Sequence, residues 1–582
     1  MSAIIESLQV SESVLVADIG DAMTTICLFD IVDGAYRLIS RAQSPTTSRA
    51  PWLDTSIGMR QAISRLSEIT GRSLLDSNSR LIQPESNSGE GVDRFVATVC
   101  ATSPLRVLLV GLLDEVSLAS ARRALGHIFY EEVDHISLAD NRTLDDRLAS
   151  ILNHKPELIF IAGGTDDGDS SQILSLVDTV ALGIKLLGRH AVRIPQVIYA
   201  GNRRARDQVS NFLSGQNNLH IVENIRPELG VEKIFEAASK ASELFEDIKI
   251  ASIPGIERVT DLVDSPAIST PQALQNVTRF YATLTRSNVL ALDVSSNNIT
   301  MIAANPAQTR MVVRSDLGLG EPLANLLDKV STEDILRWLD ADEISPGKVA
   351  SFLKNRAIFP HTLPMLESEL KLEQAITREM MRIASDGAVK EWEWPGLPAF
   401  RLVLLRGAIF SQNTQSLSTM LMLLDGVQPS GIFAVALDQY GVLPPLGAIS
   451  LETPVVAVQS LEGTTLNDLG WVIAPYGQAQ PGKPILKVKL ESDAAGAIEI
   501  DVEAGTVDVL PLPVGEKGEL TVKPLSRRID VGKGPGATRK LRVYGGTLGL
   551  IIDARGRPFK LPADAETRRQ MIRKWQWEAG GT

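Results

Sequence analysis

Apolar and polar positions change rhythm along the chain, and each rhythm predicts a different kind of element. Residues 14–42 read as paired strands: VLVADIG is apolar and β-branched, DAMTT breaks it, ICLFDIV resumes, and Asp33-Gly34 supplies a turn before AYRLISRAQ. This pattern predicts a β-hairpin with an unusual connecting loop. Ile57, Ile63, Leu66 and Ile69 then recur at helical spacing, and Gly71 marks the helix end. From about residue 105 the runs RVLLVGL, VDHISL, ELIFIAGG, PQVIYAG and LHIVEN alternate with amphipathic stretches. Strands alternating with helices predict parallel βαβ units, hence a doubly wound sheet of about five strands. NVLALDVSSNNITMIAA (288–304) repeats the strand, polar loop, strand design of residues 14–32. Helices are predicted around STEDILRWL, GKVASFLKN and LESELKLEQAITREMMRIASDGAVKEW, followed by the strand RLVLLRGAIF. Beyond residue 455, short β-branched runs separated by Gly and Pro predict a β-barrel or β-sandwich, and the tail ADAETRRQMIRKWQWEAGG predicts a terminal helix.

Composition narrows the function classes. At 582 residues the chain has room for three or four domains, and 44% hydrophobic with 22% charged residues is ordinary for a folded protein. The formal charge of −12 opposes a general nucleic-acid binder, which needs a basic face. No apolar run approaches a membrane span, and MSAIIESLQVSESV lacks a secretory pattern, so a cytoplasmic location is expected. Cys27 and Cys100 sit in apolar runs without metal-ligand spacing and are expected to be buried thiols in a reducing compartment. His127, His135, His154, His190, His220 and His361 form no metal grouping, and no GxSxG elbow is present.

The candidate chemistry lies in the two strand-loop-strand segments. Asp18 ends an apolar strand, Gly20 lets backbone approach a ligand, and Thr24 and Thr25 offer hydroxyls on the return strand. An acid in that place can hold a hydrated metal ion. Asp293 has the matching position in LDVSSNNIT, where Ser295 and Ser296 stand in place of glycine and Asn297, Asn298 and Thr300 add polar side chains. Each segment is read two ways: as a plain hairpin, or as one jaw of a pair closing on a nucleotide phosphate chain. Arg406-Gly407-Ala408, ending the strand at 401–410, is a close-approach turn of the kind that lies beneath a nucleoside.

Two hairpin loops followed by a Gly-Ala turn resemble the actin, Hsp70 and sugar-kinase superfamily of two-lobed ATPases. More narrowly, VLVADIGDAMTTICLFD, AQSPTT with SIGMRQAI, LRVLLVGL, PELIFIAGGTDDGD, PQVIYAGN, ENIRPELG, NVLALDVSSNNIT and GVQPSGIFAVALDQYGVLPPLGAI resemble the glutamate mutase L accessory family, over most of residues 13–450. The resemblance implies a two-lobed actin/Hsp70-like fold with a first ATPase-like lobe at 1–104, an inserted doubly wound α/β domain at 105–250, a connection at 251–285 and a second lobe at 286–455. A β-rich domain at 456–562 and a C-terminal helix at 563–582 complete it.

It further implies an ATP-linked reactivating or chaperone-like factor for a cobalamin-dependent mutase or related protein partner. Asp18, Gly20, Thr24 and Thr25 would meet phosphate, with Asp293, Ser295, Ser296 and Thr300 as the opposite jaw and Gly407 and Ala408 as the nucleoside wall. Asp18 and Asp293 would hold Mg2+. The chain departs from that pattern in all three loops. Asp21 places a carboxylate beside the expected triphosphate, a like-charge contact costing on the order of 4 kcal/mol at ~4 Å. Ser295 and Ser296 add Cβ atoms, and Arg406 replaces a small residue. If active, the chain would be a Mg-dependent ATPase. The alternative is a non-hydrolysing pseudo-ATPase scaffold that binds partners, or itself, through its β-rich domain.

Three further segments carry candidate chemistry. AGGTDDGDS (162–170) lies after a predicted parallel strand, where open α/β sheets bind ligands; Asp166, Asp167 and Asp169 either hold a divalent cation or make turns and cap the following helix. The αβ region lacks a His-bearing loop, so direct cobalamin binding is not expected. GKGPGATRK (532–540) is either an anion-binding loop or a mobile connection, and the charges of Asp553, Arg555 and Arg557 are expected to pair locally or to form a partner-binding edge. Trp575 and Trp577, on opposite sides of a helical wheel, are expected to dock the terminal helix.

Overall fold

The computed structural model describes residues 13–189, 193–214, 218–340, 344–413, 415–463, 465–493 and 496–580. Their chain separates into two units: Met1–Thr46, Ile57–Thr98 and Leu262–Thr582 form the first, Thr47–Ser56 and Val99–Asp261 the second. His190 and the amino-terminal segment before Ser13 lie outside the described residues.

The first unit opens with β1 (Val14–Ile19), β2 (Met23–Val32) and β3 (Ala35–Pro45), joined antiparallel, and then β4 (Arg94–Val99). All six residues of β1 are buried, which accounts for a continuous apolar run rather than an alternating one. The helix Thr55–Thr70 buries Met59, Ala62, Ile63 and Leu66, whereas Ile69, expected on the same stripe, is 63% exposed. Its place in the last turn carries it past the apolar face. Cys27 is buried, and burial pushes its thiol pKa up; Cys100 is only half-buried, contrary to expectation, because it follows β4 at the strand's end.

The second unit is the doubly wound sheet that the alternation predicted. Its strands β5 (Leu105–Gly111), β6 (Tyr130–Ile136), β7 (Leu158–Ala162), β8 (Gln196–Tyr199) and β9 (Leu219–Ile221) are all parallel, in the order β6-β5-β7-β8-β9. The helix Leu144–His154 starts on a capping box between Thr143 and Asp146, and helix Ser171–Leu187 buries Ile173, Leu176, Val177, Val180 and Ile184 in this unit's core.

On its return to the first unit, the chain adds β10 (Ile268–Ser269) beside β4, giving the order β10-β4-β1-β2-β3. Residues 251–285, expected as a connection with some helix, thus supply an edge strand and the helix Thr270–Thr285, N-capped by Ser269. The same design then recurs: β11 (Val289–Val294), β12 (Ile299–Ala304) and β13 (Thr309–Arg314) are antiparallel, and β14 (Leu402–Arg406) and β15 (Gly431–Leu437) follow in parallel beside β11. Read outward, β13-β12-β11-β14-β15 repeats β3-β2-β1-β4-β10. Asp18 faces Thr25 across β1 and β2, and Asp293 faces Thr300 across β11 and β12, so the two halves agree to the residue.

The β-rich segment divides between two layers. β16 (Asn467–Ala474) extends the second sheet; β17 (Pro484–Ser492) and β18 (Gly496–Glu503) leave it; β19 (Val507–Leu510) returns; β20 (Lys517–Pro524) and β21 (Arg539–Tyr544) leave again, and β22 (Leu550–Asp553) closes beside β16. The order β18-β17-β20-β21 makes a separate antiparallel sheet whose Leu486, Val488, Leu490, Leu520 and Val522 pack with Trp471, Ile473, Leu550 and Ile552. This is face-to-face sheet packing rather than a barrel, because three strands of the segment are drawn into the neighbouring sheet.

Asp553, Arg555 and Arg557 pair locally, as one reading had it, but in the interior: Asp553 bonds Arg555 at 2.8 Å and Arg557 at 2.6 Å, and Arg555 reaches Asp425 at 2.8 Å. A partner-binding edge is thereby replaced by a buried ion network. Helix Ala565–Glu578 docks on its own unit through Trp575, which stacks edge-on against Phe559 at 5.4 Å and donates its indole N–H to Gly505; Trp577 is 74% exposed.

Candidate functional site

Asp18, at the end of β1, is buried, and every one of its oxygens is engaged. Oδ1 accepts hydrogen bonds from Thr98 of β4 at 2.7 Å and Thr270 of the following helix at 2.9 Å, and Oδ2 accepts from Arg406 Nη2 at 2.5 Å. Asp293, its counterpart in the repeat, accepts from Arg406 Nη1 at 2.7 Å through Oδ2, and its buried Oδ1 has no hydrogen-bond partner among the described residues. Parallel pairing places Arg406 directly beside Asp293, so register alone sets the arginine between the two acids.

A third carboxylate closes the group. Asp438, following β15, lies 3.9 Å from Arg406 Nε and accepts the amides of Val442 and Leu443 at 2.8 and 2.9 Å. Burial raises the pKa of Asp293, an effect that Arg406 opposes and the nearby Asp18 and Asp438 reinforce. Burial likewise raises Asp438, against Arg406 and the amides. One guanidinium therefore serves three buried acids.

The two turns face each other. Asp21 Oδ2 of the first accepts a 3.4 Å hydrogen bond from Ser296 Oγ of the second. Ser295 folds its hydroxyl onto Asn297 and the Asn298 carbonyl, both at 3.0 Å, and Thr300 donates to Asn298 Oδ1. Thr24 Oγ1 is 2.9 Å from Thr46 Oγ1, which itself donates to the Gly20 carbonyl; Thr25 accepts from Gln43. Ala408 begins a four-residue helix and is exposed.

The two loop glycines are explained by the backbone they touch. A Cβ on Gly20 would stand 2.7 Å from the Met23 carbonyl, and one on Gly407, at φ +132°, would stand 2.3 Å from the Val294 carbonyl. Both are required by the protein's own close approaches, without a ligand. As arranged, the residues do not fit Mg2+: both oxygens of Asp18 and Oδ2 of Asp293 are already hydrogen-bonded, and the Arg406 guanidinium bridges the two carboxylates.

Sequence reasoning brought out Asp18, Asp293 and Arg406 but not how they join. It missed Thr98, Thr270 and Asp438, and also Gly318 and Gly320, where a Cβ would meet the Ser296 carbonyl at 2.7 and 2.8 Å. Asp438 had a readable signal: like Asp18 and Asp293 it ends an apolar run, here GIFAVALD.

The other candidate loops are tied down. In the second unit, Asp166 accepts from the Arg203 amide and Asn224 at 3.0 and 2.9 Å, Asp167 pairs with Arg204, and Asp169 accepts the Ser171 amide at the start of its helix. The acids thus act in turns, with Asp169 just ahead of the helix whose N-cap is Ser170, and no group of three or more His, Cys, Asp or Glu suited to a metal occurs among the described residues. At 532–540 the amides of Gly532, Lys533 and Gly534 converge on Asp530 Oδ1 at 2.7, 3.1 and 3.0 Å, so an internal carboxylate takes the place of an external anion. His127 bonds Ser242, and His220 bonds Gln196.

Two halves of one strand order, each bringing a hairpin turn and an acid to Arg406, make the duplicated α/β fold of actin-like ATPases and sugar kinases, here with an inserted doubly wound unit and a β-rich addition. Within that class the chain belongs to the MutL protein family, the glutamate mutase L family, whose model matches residues 14–464. None of the curated proteins matches it. Among solved structures it is similar to a nucleotide-free acetone carboxylase (10% identity, 84% of this chain and 81% of that one, TM-score 0.33). It is also similar to component A of the Acidaminococcus fermentans (R)-2-hydroxyglutaryl-CoA dehydratase (8%, 77% and 100%, TM-score 0.26) and to a glycerol dehydratase reactivase (10%, 71% and 95%, TM-score 0.27). No helix among the described residues is long and apolar enough to cross a membrane.

Proposed function

We propose that the chain is an accessory factor for a mutase-type protein partner, and that it works as a non-hydrolysing scaffold through conformation and contact. Family membership supports the accessory role. The observation that carries the second half is Arg406, whose guanidinium bonds Asp18 and Asp293 at 2.5 and 2.7 Å. An arginine fork paired with two carboxylates supplies the charge neutralisation that a divalent cation would otherwise give. Asp21 adds a further negative charge at the turns, which disfavours a triphosphate there.

Calorimetric titration of the whole chain with ATP, with and without Mg2+, tests this. The expected result is no saturable heat up to about 1 mM nucleotide. A second reading, an ATP-linked reactivating factor, is favoured by one atom, the unpartnered buried Oδ1 of Asp293. It predicts micromolar binding of Mg-ATP that disappears in Asp18→Ala.

A further inference from the structure

A cavity of about 580 Å³ opens in the first unit at the end of the second sheet where β11 begins, far along the strand from Asp293. Its size suits a small organic molecule. The walls are β12 and β13 on one side, the segment 394–400 on another, and Tyr476 with the loop at 530–532 on a third. Asn288 fixes the middle wall by donating to the Ala399 carbonyl at 3.1 Å, and Tyr476 and Asp530 exchange backbone hydrogen bonds at 2.8 and 3.0 Å. The site is therefore held by paired backbone on its far sides.

Arg310 of β13 lines this cavity, and its side chain makes no hydrogen bond or ion pair with any described residue; its Nε is shielded from water. Its two Nη groups have no acceptor among the described residues and are not shut off from solvent as Nε is, so they are the donors a ligand in the cavity can meet. The one carboxylate on the wall does not serve: Asp530 spends Oδ1 on three amides of its own loop and forms no ion pair with Arg310. On another wall of the same cavity Trp394, steadied edge-on by Trp392 at 4.8 Å, and Leu397 offer an apolar surface, and Tyr476 a second ring.

We propose that this cavity is a binding site for a small planar organic anion, whose acid group docks on Arg310 and whose body lies against Trp394 and Leu397. The planar fork of arginine matches carboxylate or phosphate oxygens two at a time, and the aromatic walls favour a flat body. The site is independent of the Arg406 cluster, and its occupancy does not depend on whether ATP binds.

Benzoate and benzamide, nearly equal in shape and differing in charge, are the probes. Saturation-transfer NMR on the whole chain is expected to show saturable benzoate binding, displaced by phenyl phosphate, with benzamide at least about tenfold weaker. Arg310→Gln is expected to weaken benzoate to the level of benzamide and to leave benzamide unchanged. Arg310 lies on an edge strand, and Arg310→Lys, keeping the charge without the fork, is expected to fall between the two. Benzoate binding no tighter than benzamide in the unaltered chain, indifference to Arg310→Gln, or no saturation by about 10 mM benzoate would each overturn the proposal. The first and last of these need no variant, so a destabilised variant does not shelter it.

Discussion

Arg406 is the residue on which the acid cluster depends. Removing one member of a buried ion group leaves the others uncompensated, at a cost of about 3–5 kcal/mol. Arg406→Ala strands three carboxylates, Asp18, Asp293 and Asp438, and is expected to lower the melting temperature by many degrees; Arg406→Lys, with one point charge for three acids, is expected to recover part of it. Thermal unfolding followed by circular dichroism measures both, and an Arg406→Ala protein as stable as the unaltered chain contradicts the assignment. Gly407 makes a second test at this scale. Its positive φ costs an L-residue about 1–3 kcal/mol, and the added Cβ would overlap the Val294 carbonyl, so Gly407→Ala is expected to destabilise without any change in charge. Asp18, Asp293, Gly20 and Gly407 were legible in the sequence because each ends an apolar run; Asp438, which also ends one, was overlooked. What the glycines meant was not legible, because glycine that makes room for a ligand and glycine that makes room for backbone look alike in one dimension.

Among elements, the strands were the most readable and their sheet membership the least. VLVADI and VLALDV declare buried strands by composition, yet nothing local in β16, β19 or β22 says that they leave the β-rich segment to extend its neighbour's sheet. A buried ion network lies at the end of β22. Asp553 is fully buried, and although burial alone would raise its pKa, Arg555 and Arg557 hold it well below the usual carboxylate range. A depressed folded-state pKa contributes stability that is fully present above the unfolded value of about 3.9 and is lost as pH falls toward the folded one. Asp553→Asn is therefore expected to cost about 3–5 kcal/mol at neutral pH, and the gap between the two proteins is expected to narrow below about pH 4. Thermal melts from about pH 7 to 3 read this directly. A gap that widens on acidification contradicts the pairing.

At the scale of the molecule, the duplication is the feature that organises everything else. Two sheets of one order bring Asp18 and Asp293 to equivalent places, and parallel β14 sets Arg406 between them. The repeat was visible as VADIGDAMTT and LDVSSNNIT. The helix Thr270–Thr285, which brings Thr270 to Asp18, was expected only as some helix within a connection; Ser269 and Pro271 mark its N-terminus. If Arg406 already neutralises the acids that a metal-bound nucleotide would otherwise engage, association with a mutase-type partner needs no nucleotide. Complexes captured on the native chain are expected to survive treatment with apyrase, and release of the partner on ATP depletion contradicts that.

Manganese binding followed by electron paramagnetic resonance tests most directly whether Arg406 stands in for a metal ion. The unaltered chain is expected to leave Mn2+ free in solution, whereas Arg406→Ala, with its three acids exposed to one another, is expected to bind about one ion and to regain thermal stability with it. Stoichiometric Mn2+ binding by the unaltered chain that is lost in Asp18→Ala, or no binding by Arg406→Ala when that variant is folded, would contradict the account.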